Sequence, residues 1–107
     1  MKSKIKVMLM VGIFACTAHG LVAASAPENW TKSCASCHGK TGAGDTVMGK
    51  KKGAKDYTSA AEQAKFTDAE ATKAIKDGVP DKMKGFGDKL SAEEITALVA
   101  HVRSLKK

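Results

Sequence analysis

Aromatic residues are few in this chain: one Trp, one Tyr and three Phe among 107 positions. A small domain buries a modest core at best, and so few rings leave it short of large apolar surface to fold around. No β-period and no internal repeat are present, which sets aside sheet-based and repeat architectures. Beyond the first 24 residues, nothing approaches the roughly 20 consecutive apolar residues that a membrane-spanning helix requires. Cysteine and histidine number three each, too few and too scattered for a zinc site built from two ligand pairs. Acidic residues are outnumbered 11 to 18, giving a formal net charge of +7, yet part of that excess sits where it says nothing about a partner.

Lys2, Lys4 and Lys6 precede the almost wholly apolar Val7 to Ala15 and the small-residue zone Val22-Ala23-Ala24-Ser25-Ala26. That order predicts a secretory signal peptide over residues 1–24, cleaved after Ala24. Cleavage after Ala26 would leave Pro27 beside the scissile bond, where its ring makes it a poor neighbour. Ile13-Phe14-Ala15-Cys16 loosely resembles a lipoprotein signal, but Phe14 fits it badly, so Cys16 is expected to leave with the leader. Residues 25–107 then form one small exported domain, periplasmic by expectation. Losing three lysines lowers its formal charge from +7 to +4, which is no nucleic-acid signature.

Within that domain the periodicity is helical. Ser25, Pro27 and Glu28 suit a first helical turn, and a short helix runs from there toward Cys34. Trp30 stands four residues before Cys34 and shares its face, a packing position. Gly39, Gly42, Gly44 and Asp45 end this helix in a tight loop, and Met48 to Lys55 reads as loop as well. Three capping boxes follow, Ser59 with Glu62, Thr67 with Glu70 and Ser91 with Glu94. The middle helix carries Ala71, Ala74 and Ile75 on one stripe and stops at Gly78, ahead of Pro80. The last helix repeats Ile95, Leu98, Val99, Val102 and Leu105 at helical spacing, with Arg103, Lys106 and Lys107 near its negative end. An all-α fold of about four short helices is expected.

The chemistry lies in Cys34-Ala35-Ser36-Cys37-His38. C-x-x-C-H is the attachment pattern of a c-type haem. Two thiols three positions apart lie one helical turn apart, so both can reach neighbouring vinyl groups of one porphyrin edge. His38 is then carried under the ring as an axial ligand, with its other ring nitrogen expected on an acceptor, usually a backbone carbonyl, in the Gly39 to Thr46 run. A zinc site lacks ligands, since His101 is the only other histidine after the leader and no cysteine joins it. A thioredoxin-like pair lacks the preceding strand, and a plain disulfide remains as the bland alternative. One covalent haem would also stand in for the missing aromatic core.

A sixth iron ligand is sought between Pro80 and the last helix, in Asp81-Lys82-Met83-Lys84-Gly85-Phe86-Gly87-Asp88. Met83 is the candidate: it lies in a loop between helices rather than on an apolar stripe, where methionine is usually a gap-filler. A thioether opposite histidine raises the potential and closes the iron to small molecules. Met48 is the rival, and His101 stands at the flank of the last helix's stripe as a packed or hydrogen-bonded residue. A peroxidase or gas sensor would need polar distal groups, and the Met83 loop has no Arg or His.

At this point the chain resembles the class I cytochrome c family, in particular its small exported single-haem bacterial members. The resemblance rests on Cys34-Ala35-Ser36-Cys37-His38-Gly39, on Met83-Lys84-Gly85-Phe86, and on Leu90-Ser91-Ala92-Glu93-Glu94-Ile95 through Val102-Arg103. It implies that Cys34 and Cys37 hold haem c covalently, that His38 and Met83 are the proximal and distal iron ligands, and that the first and last helices cross. The first helix is shorter than is usual in the family, and His101 stands where relatives often have tyrosine. The implied role is a monomeric carrier of single electrons, not an enzyme. Lys50, Lys51, Lys52, Lys55, Lys82, Lys84 and Lys89 fall in the two loops expected to border the ring. They are either a solvated face or a docking surface for acidic patches on redox partners.

Overall fold

The computed structural model describes residues 24–107. The expected leader, Cys16 included, lies outside the described residues except for Ala24. Helix α1 (Ala26–Asn29) opens on a capping box: the Ser25 hydroxyl accepts from the Glu28 amide, and the Glu28 carboxylate accepts from the Ser25 amide. The chain then passes without a break through one π turn, Trp30–Cys34, into α2 (Ala35–His38), and Gly39 ends the run at φ +80°.

Two expectations are corrected. The stretch after Met48 is not all loop, because α3 (Val47–Lys52) starts on the Thr46 hydroxyl, which accepts from the Gly49 amide at 2.8 Å. Its signal was masked by a glycine in the helix interior and by three lysines in place of an apolar stripe. Gly49 is there for closeness: a Cβ at this position would strike the carbonyl oxygens of Cys37 and Gly44. The second correction is a hairpin of two residues per strand, β1 (Gly78–Val79) against β2 (Met83–Lys84), with Val79 opposite Met83. Pro80 and Asp81 make its turn, Asp81 at φ +63°, and the Lys82 amide donates to the Val79 carbonyl at 3.0 Å. Proline second and a left-handed residue third is what a type II turn demands. Two-residue strands are too short to leave a period in the sequence.

The other elements begin where the caps predicted. Ser59 caps α4 (Ala60–Gln63), Thr67 caps α5 (Asp68–Asp77) and Ser91 caps α6 (Ala92–Ser104). The fold is all-α apart from the hairpin, with six α-helical segments among the described residues rather than about four. The excess arises because the π turn divides the first helix and α3 was expected as loop.

Helix α6 buries Ile95, Leu98, Val99 and Val102 against Trp30, Ile75 and Phe86, with Leu98 only 1% exposed. It packs on both α1 and α5, so first and last helices do meet. Asn29, itself buried, ties them by donating from Nδ2 to Glu94 Oε2 at 3.0 Å.

Candidate haem-binding site

Cys34 closes the π turn, and Cys37 and His38 follow on α2. In that turn the Ala35 amide donates to the Trp30 carbonyl, five residues back. Both cysteines are free and half-buried. Burial pushes the Cys34 thiol up to about 11, and the Cys37 thiol beside it adds to the rise. A thiol held protonated at neutral pH is a poor metal ligand and a poor nucleophile, so Cys34 is unsuited to zinc or disulfide-exchange chemistry.

His38 is half-buried, and burial lowers its pKa, leaving a neutral imidazole at neutral pH. Tyr57 stacks on the ring at 5.0 Å between centroids, and Trp30 lies at 5.7 Å. The Trp30 indole N–H donates to the Gly39 carbonyl at 3.0 Å. His38 Nδ1 is buried with no hydrogen-bond partner. The expected acceptor in the Gly39 to Thr46 run is therefore not found: the Gly39 carbonyl serves Trp30 and the Gly42 amide instead.

Met83, on β2, lines two adjoining cavities of about 190 Å³ and about 440 Å³ together with Cys34, His38 and Tyr57. Cys37 opens onto the larger one. Ala71, Ile75, Leu98 and Val102 give the smaller cavity an apolar wall. The rival Met48 sits on α3, 46% exposed, and lines neither cavity. His101 is half-buried on α6 with its ring 5.2 Å from Trp30, a packed histidine as its flank position suggested. An apolar slot of ligand-binding size that brings two thiols, a neutral imidazole and a thioether together fits a covalently attached haem.

The lysines divide. Lys52, Lys55, Lys82 and Lys84 line the larger cavity, and Lys52 donates to the Asp81 carbonyl at 3.2 Å, bridging α3 to the hairpin. Lys50, Lys51 and Lys89 are exposed but line neither cavity.

Four residues escaped the sequence argument as parts of the site. Tyr57 and Phe66 line the smaller cavity and meet edge to face at 5.8 Å. Arg103 reaches back from α6 to the segment between α4 and α5, and Gln63, buried, donates to the carbonyls of Tyr57 at 2.8 Å and Val102 at 2.7 Å. A signal for the aromatics was available in their scarcity: all four rings of this kind in the described chain, Trp30, Tyr57, Phe66 and Phe86, border the cavities.

Fold and site together define a small c-type cytochrome. The family model described as cytochrome c oxidase, cbb3-type, subunit III matches residues 22–102, and the chain belongs to this family of c-type cytochromes, whose cofactor is covalent haem c. Among solved structures it is similar to the KustC0563 c-type cytochrome, with 36% identity over 78% of this chain and 100% of that one, at a TM-score of 0.74. Cytochrome cL from Hyphomicrobium denitrificans, 23% identical over 77% of this chain and 46% of that one, aligns at a TM-score of 0.61. The c-type cytochrome NirC, 20% identical over 77% of this chain and 91% of that one, aligns at 0.59. The latter two share the fold. No curated protein matches the chain.

Proposed function

We propose that the chain is a periplasmic, monomeric carrier of single electrons, exported by residues 1–24 and folded over residues 25–107, with His38 and Met83 as iron ligands and Cys34 and Cys37 as thioether anchors. One observation carries this reading: Cys34, His38 and Met83 border the same two cavities. Haem c, once attached, supplies one iron that alternates between ferric and ferrous states.

The protein's own work is ligation, exclusion of water and exposure of an edge. Burial keeps the His38 imidazole neutral and ready to ligate. Met83 would offer the iron a soft, weak donor, one that favours the reduced state and blocks exogenous ligands. Its strand is fixed by backbone pairing to β1, and its side chain packs against the hydrophobic core. Ile75, Leu98 and Val102 dry the interior wall. Lys52, Lys55, Lys82 and Lys84 ring the more open side, where positive charge would draw in partners with acidic patches.

The test is an optical spectrum of the periplasmically expressed protein, oxidised and reduced. A c-type spectrum with a far-red thioether-to-iron band, lost in Met83→Ala, is the expected result. Survival of the band in that variant would move the ligand to Met48. Absence of haem with maturation machinery present would overturn the proposal entirely.

A further inference from the structure

The hairpin that carries Met83 is held firmly at one end and thinly at the other. Its base is joined to α5. Both strands pack on that helix, the Phe86 amide donates to the Ile75 carbonyl at 2.7 Å, and the Gly87 amide donates to the Lys76 carbonyl at 3.0 Å. Gly78 and Gly85 let the backbones close up there: a Cβ on Gly78 would strike Gly85 and Met83, and one on Gly85 would strike Lys76 and Asp77.

The tip has no such support. Two residues per strand make a ladder too short to be stable alone, and the bond from the Lys82 amide to the Val79 carbonyl only closes the turn on itself. Among the described residues, a single hydrogen bond ties residues 79–82 to another element. The Lys52 ammonium of α3 donates to the Asp81 carbonyl at 3.2 Å.

Helix α3 is a fixed post for that bond. Gly49 seats it against the carbonyls of Cys37 and Gly44, and the Thr46 hydroxyl that caps it lies 2.8 Å from the Ser36 carbonyl and 2.9 Å from that of Cys37. Lys52 and the hairpin residues Val79, Lys82 and Met83 all line the larger cavity. The Lys52 bond thus joins the segment packed on the C-x-x-C-H motif to the segment bearing the thioether.

We propose that Lys52 is a positioning residue for Met83: its bond to Asp81 ties the hairpin tip to α3 and keeps the thioether in the site. This rests on Met83 being an iron ligand, as proposed above. The acceptor is main chain, so substitution can remove only the donor. Met83 must leave before another ligand can take its place, and the affinity of the oxidised protein for imidazole therefore reads how readily the hairpin opens, whatever the electron-transfer rate.

The experiment titrates imidazole into the oxidised, haem-loaded wild type, Lys52→Ala, Lys52→Arg and Lys51→Ala, following loss of the far-red thioether-to-iron band. Lys52 and Lys51 are exposed, so all three variants should fold and load haem. An exposed bond from a charged donor is worth less than a buried one, and Lys52→Ala should lower the apparent Kd for imidazole by roughly two- to tenfold. Lys52→Arg keeps a charged donor of similar reach and should keep the wild-type Kd. Lys51→Ala removes the same charge one position away and leaves the bond to Asp81 in place, so its Kd should also be that of the wild type. A Lys52→Ala Kd equal to the wild-type value would overturn the proposal. So would an equal fall in Lys51→Ala, which would assign the effect to charge alone, or an arginine variant that behaves like alanine. Failure of the ligation reading shows separately. A far-red band absent from the wild type, or surviving Met83→Ala, overturns both proposals, whereas a band lost in Met83→Ala with no change of Kd in Lys52→Ala overturns this one alone.

Discussion

Replacing Arg103 with methionine tests how the cavity wall is held. The guanidinium donates to Asp68 Oδ1 at 2.8 Å, to the Gln63 carbonyl at 2.6 Å and side-chain oxygen at 2.9 Å, and to the Phe66 carbonyl at 2.8 Å, while covering the Phe66 ring. The ion pair contributes least: Asp68 is 73% exposed against 32% for Arg103, and such pairs are worth ~0.2–1 kcal/mol. Bonds from a cation to carbonyls on the buried side are worth about 1.5–3 kcal/mol each when water is excluded, and less where water can replace them. A cation over a ring adds ~0.5–1 kcal/mol. Methionine keeps the stem's packing, so Arg103→Met should cost ~2–4 kcal/mol and Asp68→Asn under ~1 kcal/mol. At roughly 4–8 °C per kcal/mol for a domain of this size, the first variant should lose ~8–32 °C in Tm. Thermal unfolding of the haem-loaded proteins, followed by far-ultraviolet circular dichroism, measures both. Equal losses in the two variants would refute the ranking of partly buried carbonyl bonds above an exposed ion pair.

The remaining predictions concern pH and salt. Hydrogen bonds from Ser91 and Asn29 hold the Glu94 carboxyl below its usual range, and those from Thr67 do the same for Glu70. Folded-state values depressed in this way contribute stability above the unfolded value of 4.5, and that stability is lost as pH falls through the depressed values. Glu94→Gln should therefore flatten the acid limb of a stability-against-pH curve from chemical denaturation. An unchanged acid limb would show that the carboxylate contributes nothing there. Electron transfer to an acidic redox partner should slow as ionic strength rises, and Lys52→Ala with Lys84→Ala should reduce that dependence more than Lys50→Ala with Lys89→Ala. Stopped-flow rates independent of salt would exclude the lysines as a docking surface.

Helix starts were legible because their signals are local. A hydroxyl and a carboxylate three residues apart at Thr67 and Ser91 cap only one way, and α5 and α6 begin there. The stripe of α6 was equally plain, and its four inner residues are buried. Helix α3 was not legible, since Gly49 obeys the carbonyls of Cys37 and Gly44, which no window of neighbouring residues reveals. The cavity's thiols and imidazole followed from one pentapeptide, whereas Tyr57 and Phe66 come from separate segments and Arg103 reaches Phe66 across 37 residues. Arg103 looked like a partner for a helix end; its actual partners lie on another segment.

The π turn at Trp30–Cys34 has a consequence for how this chain can change. It inserts one residue beyond regular α winding, and each α-helical residue turns the helix by about 100°. The residues before it, Asn29 above all, address α6, while Cys34 at its end and Cys37 and His38 beyond it face the cavity. A deletion of Thr31 or Lys32 would restore an ordinary helix and spare every motif residue, yet it would swing the attachment face about a quarter turn from the face that docks on α6. The spacing upstream of the cysteines is thus as constrained as the motif, although nothing in the motif records it.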